Sequence, residues 1–358
     1  MSVIDVPEAS NSVTIRRSTE VPEPALKSFF AEMFPPKSNS LTRHWRWMYR
    51  VDDVPRVPAP MVAVLDGEVI GQYAQIPVEI GDQDVRMQAV WGVDYGVLDR
   101  FRRYGIGYRL MEAWLRQHPV HMGFATPASY RIALKQGWKP RLTTLLLQLP
   151  LQPQHHARFQ QGPWRIPAEV LGPLFNLLAQ VVIRLRSRRW AALRPAALTP
   201  GHLQGWSRLR HPEEPERSVS VPRTPGFLRW RLLDSPFYDQ YRLADLPGSE
   251  LRAIIRVMGG RRRKVVRILS ISGRANGPED IDRLLGSIIR WSLDHHIDLV
   301  QMVHGDPAVI RAARRWFSQR SALRHVYYCN DPEGQRLLDG RPHLWEMLDS
   351  DFDYAEVE

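Results

Sequence analysis

Arg102, Gly105 and Gly107 stand in the order Arg-x-x-Gly-x-Gly, between an apolar run from Met87 to Val97 and a helical pattern from Tyr108 to Leu115. Residues of these types at this spacing can bind an anion. The first N–H groups of a helix have no partner inside it, and the helix dipole favours negative charge there. Glycine at 105 and 107 lets the backbone approach a phosphate that a Cβ would hold away. Arg102 and Arg103 add charge-assisted donors, and Tyr104 and Ile106 complete the turn. The chemistry predicted is a pyrophosphate cradle, and it needs a strand ending at Val97 and a helix beginning near Gly107 to position it.

The same residues resemble the Q/R-x-x-G-x-G/A signature of the GNAT acyltransferase superfamily, whose members bind acetyl-coenzyme A. Val97 to Phe101 take the place of that family's V-x-P-x-Y lead-in, with Leu98 and Asp99 where a polar residue and proline are usual. Downstream, Gly123-Phe124-Ala125-Thr126-Pro127, Ser129-Tyr130 and Lys135-Gln136-Gly137-Trp138 resemble the fifth strand, the next helix and the K-x-G-F/W ending. The resemblance implies acetyl-CoA as acyl donor, without a metal. It implies that Val97 and Leu98 pair with the pantetheine arm, that Arg102 to Gly107 hold the pyrophosphate, and that Ser129 supports the arm.

Transfer of an acyl group to an amine also needs a proton acceptor. Asp94 is the candidate base, acting directly or through a water, with Glu79 and Asp99 as substitutes. Each could equally be a surface or ion-paired carboxylate. Tyr95, beside Asp94, orients substrate or fills the core. Many members of the family carry a tyrosine four residues before the helix-ending glycine, as general acid for the leaving thiolate. That position is Ala133 here, so Tyr130, one turn earlier, is the candidate acid. A coenzyme A thiolate can also leave unassisted.

The chain has 358 residues, enough for two domains, and 44% of them are hydrophobic, enough for real cores. A single cysteine, Cys329, excludes an internal disulfide framework and fits a reducing compartment. Met1 to Asn11 lack the apolar stretch of a secretory signal, so a cytoplasmic location is expected, including the inner face of a membrane. The net charge is +11 and rests on arginine, since lysine occurs only at 27, 37, 135, 139 and 264. Such a balance favours anionic partners, but no zinc-finger spacing, RNP-like motif or basic tail accompanies it, and no nucleic acid is expected. His155-His156 has no partner in metal-ligand spacing.

Two stretches repeat loosely. His44-Trp45-Arg46-Trp47 precedes a hairpin turning at Asp66-Gly67, and Leu228-Arg229-Trp230-Arg231 precedes one turning at Pro247-Gly248. The expected fold class is α/β (α+β): two tandem GNAT-like domains, each a mixed, mostly antiparallel twisted sheet flanked by helices. Residues 1–150 form the acetyl-CoA-binding domain, 151–225 a linker with an amphipathic helix, and 226–358 a degenerate copy. The second half replaces the glycine cradle with Ser272 to Asp280, where Glu279 and Asp280 would repel a pyrophosphate.

The run 168–189 is too short and interrupted to span a bilayer. It either lies on an anionic membrane surface, with Arg184, Arg186, Arg188 and Arg189 on the headgroups, or packs between domains. The leading function is acetyl-CoA-dependent N-acetylation of an amine. By resemblance to tandem acyltransferases of bacterial cell-surface polysaccharide formation, the acceptor is an amino sugar or a sugar-linked intermediate. It would be received in a groove between the domains, where His304, Asp306 and His295-His296 either line the far wall or are structural histidines and a structural carboxylate. The alternatives are a tRNA-dependent aminoacyl transferase of the peptidoglycan-bridge type and a non-catalytic CoA-binding scaffold.

Overall fold

The computed structural model describes residues 12–53, 58–152, 174, 177–178, 180–188, 190, 193–214, 217–260 and 263–354. Residues 168–173, Arg189, His155, His156, Arg261 and Arg262 lie outside them. The strands in chain order are β1 (Thr14–Arg17), β2 (Met61–Leu65), β3 (Glu68–Gly81), β4 (Arg86–Val97), β5 (Val120–Phe124), β6 (Lys139–Arg141) and β7 (Leu145–Pro150). They continue as β8 (Ala196–Ala197), β9 (Tyr241–Asp245), β10 (Arg252–Gly259), β11 (Lys264–Ser272), β12 (Leu299–His304), β13 (Gln319–Ala322) and β14 (His325–Cys329). The principal helices are α1 (Glu23–Met33), α2 (Ser38–Met48), α3 (Ile106–Leu115), α4 (Pro127–Lys135), α5 (Pro278–Asp294), α6 (Pro307–Ala313) and α7 (Pro332–Asp339).

These strands form two mixed sheets of seven described strands, ordered β1-β2-β3-β4-β5-β14-β6 and β8-β9-β10-β11-β12-β7-β13. In both, the pairings are antiparallel except one parallel step, β4–β5 in the first and β11–β12 in the second. This is the α/β architecture of two GNAT-like domains that the element order implies. One feature was not foreseeable. Each sheet takes a strand from the other half of the chain: β14 lies between β5 and β6, and β7 lies between β12 and β13. Of the described residues, one compact unit therefore holds those up to 141, 324–340 and 354, the other those within 142–323 and 341–353.

The local chemistry of the first sheet is direct. Asp66 and Gly67 take φ of 49° and 82°, the left-handed pair of a two-residue hairpin turn. At the far end of the β3–β4 hairpin, Asp82 Oδ1 accepts the N–H groups of Asp84 and Val85. Helix α3 buries Ile106, Leu110, Met111 and Trp114, one face at three- and four-residue spacing. In the second unit α5 does the same with Ile281, Leu284, Leu285, Ile288 and Ile289 over β10 and β11. Leu193 and Leu209, from the stretch between the two expected domains, sit in that second core.

Candidate functional site

Strand β4 leads through a 3-10 turn, Asp99–Tyr104, into α3. Gly105 is the hinge. Its φ is +68°, a conformation that costs a residue with a Cβ roughly 1–2 kcal/mol. Arg109 N donates to Gly105 O at 3.2 Å as the helix begins, and no side chain caps the N-terminus. The N–H groups of Ile106, Gly107 and Tyr108 therefore precede the helix's own ladder, as a phosphate cradle requires. Arg103 is exposed beside them. Arg102 is turned back on its own loop, with Nε on Val97 O at 3.2 Å and Nη2 on Asp99 at 2.6 Å. Leu98 is buried and gives its N–H to Ile70 O at 3.0 Å, so that donor is committed to β3.

The parallel ladder between β4 and β5 covers Val90↔His121 and Trp91↔Met122. Strand β4 then continues to Val97 while a β-bulge interrupts its pairing with β3. Val93 faces Ala74 and Gly96 faces Gln72, so Asp94 and Tyr95 share a single opposing residue, Tyr73. Asp94 absorbs the extra residue at φ +46°. A bulge breaks the in–out alternation of a strand, and here it separates two adjacent side chains. Asp94 meets Lys37 and Tyr49, which lie before and after α2, while Tyr95 turns to α3.

Asp94 is nearly fully buried. Its Oδ1 accepts from Lys37 Nζ at 3.1 Å and its Oδ2 from Tyr49 Oη at 2.7 Å. Neither partner is marked by any motif. The signal in the sequence is Asp94 itself, a lone carboxylate between valine and tyrosine in an apolar strand. Tyr95 stacks on Tyr73 at 4.5 Å, Tyr73 on Trp114 at 4.0 Å, and Trp114 on Trp138 at 5.9 Å. This ladder of rings holds the Tyr95 hydroxyl against the first turn of α3. A Cβ on Gly107 would lie 2.5 Å from Tyr95 Oη, so Gly107 is glycine because the hydroxyl occupies that space. Burial pushes the Tyr95 hydroxyl up to about 12, and it remains a proton donor at neutral pH.

The other expected residues are distributed as follows. Ser129 belongs to the cap of α4, its N–H bonded to Thr126 Oγ1 at 3.2 Å and its hydroxyl 2.9 Å from the same atom. Tyr130 is half-buried and packs on the aromatic cluster. Glu79 pairs with Gln88, five residues along β3 from Ala74, which is about 17 Å from the bulge, and bonds Arg86. Asp99 is exposed and engaged by Arg102. The structure thus gathers Asp94, Tyr95, Val97 and the 102–107 turn along one strand end, and leaves Glu79 apart. Cys329 is half-buried at the end of β14, and burial raises its thiol.

The second unit repeats the geometry and closes it. Strands β11 and β12 pair from Val265↔Leu299 to Ile268↔Met302, and then the C-terminal segment enters between them. Gly305 N donates to Trp345 O at 2.9 Å. Glu346 accepts from Ser270 Oγ at 2.6 Å and from Ile271 N at 3.2 Å, and faces His304 at 3.3 Å. Arg223 grips Glu346 and Asp349. Burial pushes the Glu346 carboxyl up, but Arg223, His304 and Ser270 together hold it well below the usual range. His304 and Asp306 are buried, Asp306 bonded to His211 at 2.9 Å, and His295 stacks on Trp291. Ile271 N, on β11 just past the end of its parallel ladder, is already engaged by the chain itself.

Among the described residues no group of His, Cys, Asp or Glu is placed to hold a metal, and no helix is long and apolar enough to cross a membrane. No protein-family model and no curated protein matches the chain. Solved structures do. A conserved protein from Enterococcus faecalis, described as a probable N-acyltransferase, aligns at a TM-score of 0.50 and 10% identity over 88% of this chain and 71% of that one. A GCN5-related N-acetyltransferase from Anabaena variabilis aligns at 0.48 and 14% identity over 89% and 73%. At these identities the likeness is one of fold. The chain has the GNAT fold, in two copies that exchange a strand.

Proposed function

We propose that the first unit binds acetyl-CoA at the β4–α3 turn and transfers its acyl group to an amine. The observation that carries this reading is the cradle itself: Gly105 at φ +68°, an uncapped helix start and a Gly107 whose missing Cβ leaves room for Tyr95 Oη. Acetyl-CoA, when bound, supplies the acyl group as a thioester. Ile106, Gly107 and Tyr108 would hold its pyrophosphate through their N–H groups, with Arg103 as the exposed cation. The second cleft holds Glu346, which favours a single cofactor site.

On the other face of β4, Lys37 and Asp94 set the field the acceptor meets. A cation beside an ammonium disfavours the charged form, so Lys37 helps the acceptor enter as a neutral amine. Asp94, paired and buried, holds Lys37 in place and would accept the proton the amine releases, directly or through a water. The net charge of +11 supports an amine carried on an anionic molecule, such as a phosphorylated amino sugar. With alanine at 133, the thiolate would leave unassisted or with a proton from Tyr130.

Calorimetry of acetyl-CoA into the wild type and into Gly105→Glu tests the reading. Saturable binding to the wild type that the variant loses supports it. An unbinding wild type sinks it.

A further inference from the structure

Between the two sheets' sequences, residues 180–187 are helical, as are 174, 177 and 178. Ile183 packs on the second core and Ser187 is fully buried. The opposite face does not follow the rule for a surface helix. Leu174, Leu177, Leu178, Val181, Val182 and Leu185 are all exposed, from 43% to 64%. Their spacing is 0, 3, 4, 7, 8 and 11, a single stripe at the helical period. They are six of eleven large exposed apolar side chains among the described residues. Scattered exposed leucines need no explanation, but a continuous stripe does.

The stripe's flanks carry charge of one sign. At 100° per residue, Arg184 and Arg186 fall on opposite sides of the stripe, and Arg188 follows at its C-terminal end. All three are exposed. Arg186 lies over the Trp316 ring at 5.7 Å, and Arg184 reaches Asp294 at 4.0 Å, so both are held near the helix. The helix is thus anchored to its domain by Ile183 and Ser187 and presents apolar side chains outward between arginines. That is the arrangement of a helix lying in a bilayer interface, with its apolar face among the acyl chains and its cations among anionic headgroups.

We propose that the helical stripe formed by Leu174, Leu177, Leu178, Val181, Val182 and Leu185 docks this protein on an anionic membrane surface. The charge complementarity selects lipid over a second copy of the chain: a two-fold pairing through this stripe would bring the arginine flanks of two chains, each of net charge +11, together. Among the described residues no helix is long and apolar enough to span a bilayer, and the docking proposed is peripheral and reversible. It is independent of whether the first unit transfers an acyl group.

The test is cosedimentation of the full chain with vesicles of phosphatidylcholine alone and of phosphatidylcholine and phosphatidylserine in equal parts. The wild type is expected on the mixed vesicles, at least tenfold more than on the neutral ones, and to leave them as salt is raised. Leu178→Glu with Leu185→Glu abolishes binding, while the thermal unfolding midpoint stays put because both residues face outward. Arg188→Gln weakens it about fivefold. Binding that ignores phosphatidylserine or the leucine substitutions overturns the proposal. So does failure to bind vesicles, and a wild-type dimer that the leucine variant splits would identify the second copy as the occupant.

Discussion

At the scale of single residues, the proposed cofactor cradle turns on Tyr95 and Gly107. Tyr95→Phe keeps the ring stacked on Tyr73 and removes only the hydroxyl. If that hydroxyl donates to the bound cofactor, CoA binding weakens about tenfold, one hydrogen bond's worth. Gly107→Ala should weaken it at least as much in the wild type, because the new Cβ meets Oη at 2.5 Å. In the Tyr95→Phe background the same alanine meets the ring carbon at 3.5 Å, an ordinary contact, and should be nearly neutral. Calorimetry on the four proteins measures this coupling, and additive losses would refute it. Asp94→Asn makes a separate prediction: kcat for amine acylation falls at least tenfold while the Kd for CoA holds. Steady-state kinetics beside calorimetry separates the two. The glycine turn between β4 and α3 was legible in the sequence, and Asp94 as a carboxylate out of place, whereas Arg102 bonds its own loop. Lys37 and Tyr49 were not, since only the bulge turns Asp94 toward them.

At the scale of elements, β5 carries a pH sensor of stability. His121 is buried among Trp114, Trp138 and Tyr328, and its Nε2 lies 2.7 Å from His118 O and 3.2 Å from Leu115 O. Burial lowers its pKa to about 4, against the contributions of those carbonyls. A depressed histidine leaves the fold at full strength above its unfolded value near 6.5 and withdraws stability as pH falls from there to about 4. The loss is on the order of 3 kcal/mol at 1.36 kcal/mol per unit. Urea midpoints at pH 7 and pH 5 should differ for the wild type, and the difference should shrink in His121→Gln. An equal slope in both proteins would remove His121 from the account. The hairpins at Asp66-Gly67 and Pro247-Gly248 and the helix α3 were readable from turn residues and periodicity. The bulge was not, because an extra residue in a strand leaves no mark in apolar content.

At the scale of the whole molecule, the strand exchange ties distant parts of the sequence to one sheet. Tyr327 is buried in β14, and its hydroxyl bonds Asp339 at 2.5 Å. It stands in the last tenth of the chain yet belongs to the sheet that carries the 102–107 turn. Tyr327→Ala should therefore cost roughly 3–5 kcal/mol and abolish CoA binding at temperatures where the wild type binds. Retained CoA binding by a destabilised variant would show the site independent of β14. The repeat of Trp-Arg and hairpin elements made two GNAT-like halves legible. The exchange lay beyond it, because β7 and β14 each read as the final strand of the half they follow in sequence. Nothing in an apolar strand names its sheet.

The central claim is that the β4–α3 turn of the first unit, and not its counterpart in the second, holds coenzyme A. Hydrogen exchange with and without acetyl-CoA locates the contact directly. Slowed exchange in peptides covering Val97 to Arg109, with Ser272 to Ile281 unchanged, is the predicted result. Protection confined to Ser272 to Ile281, or none at either turn, would contradict it.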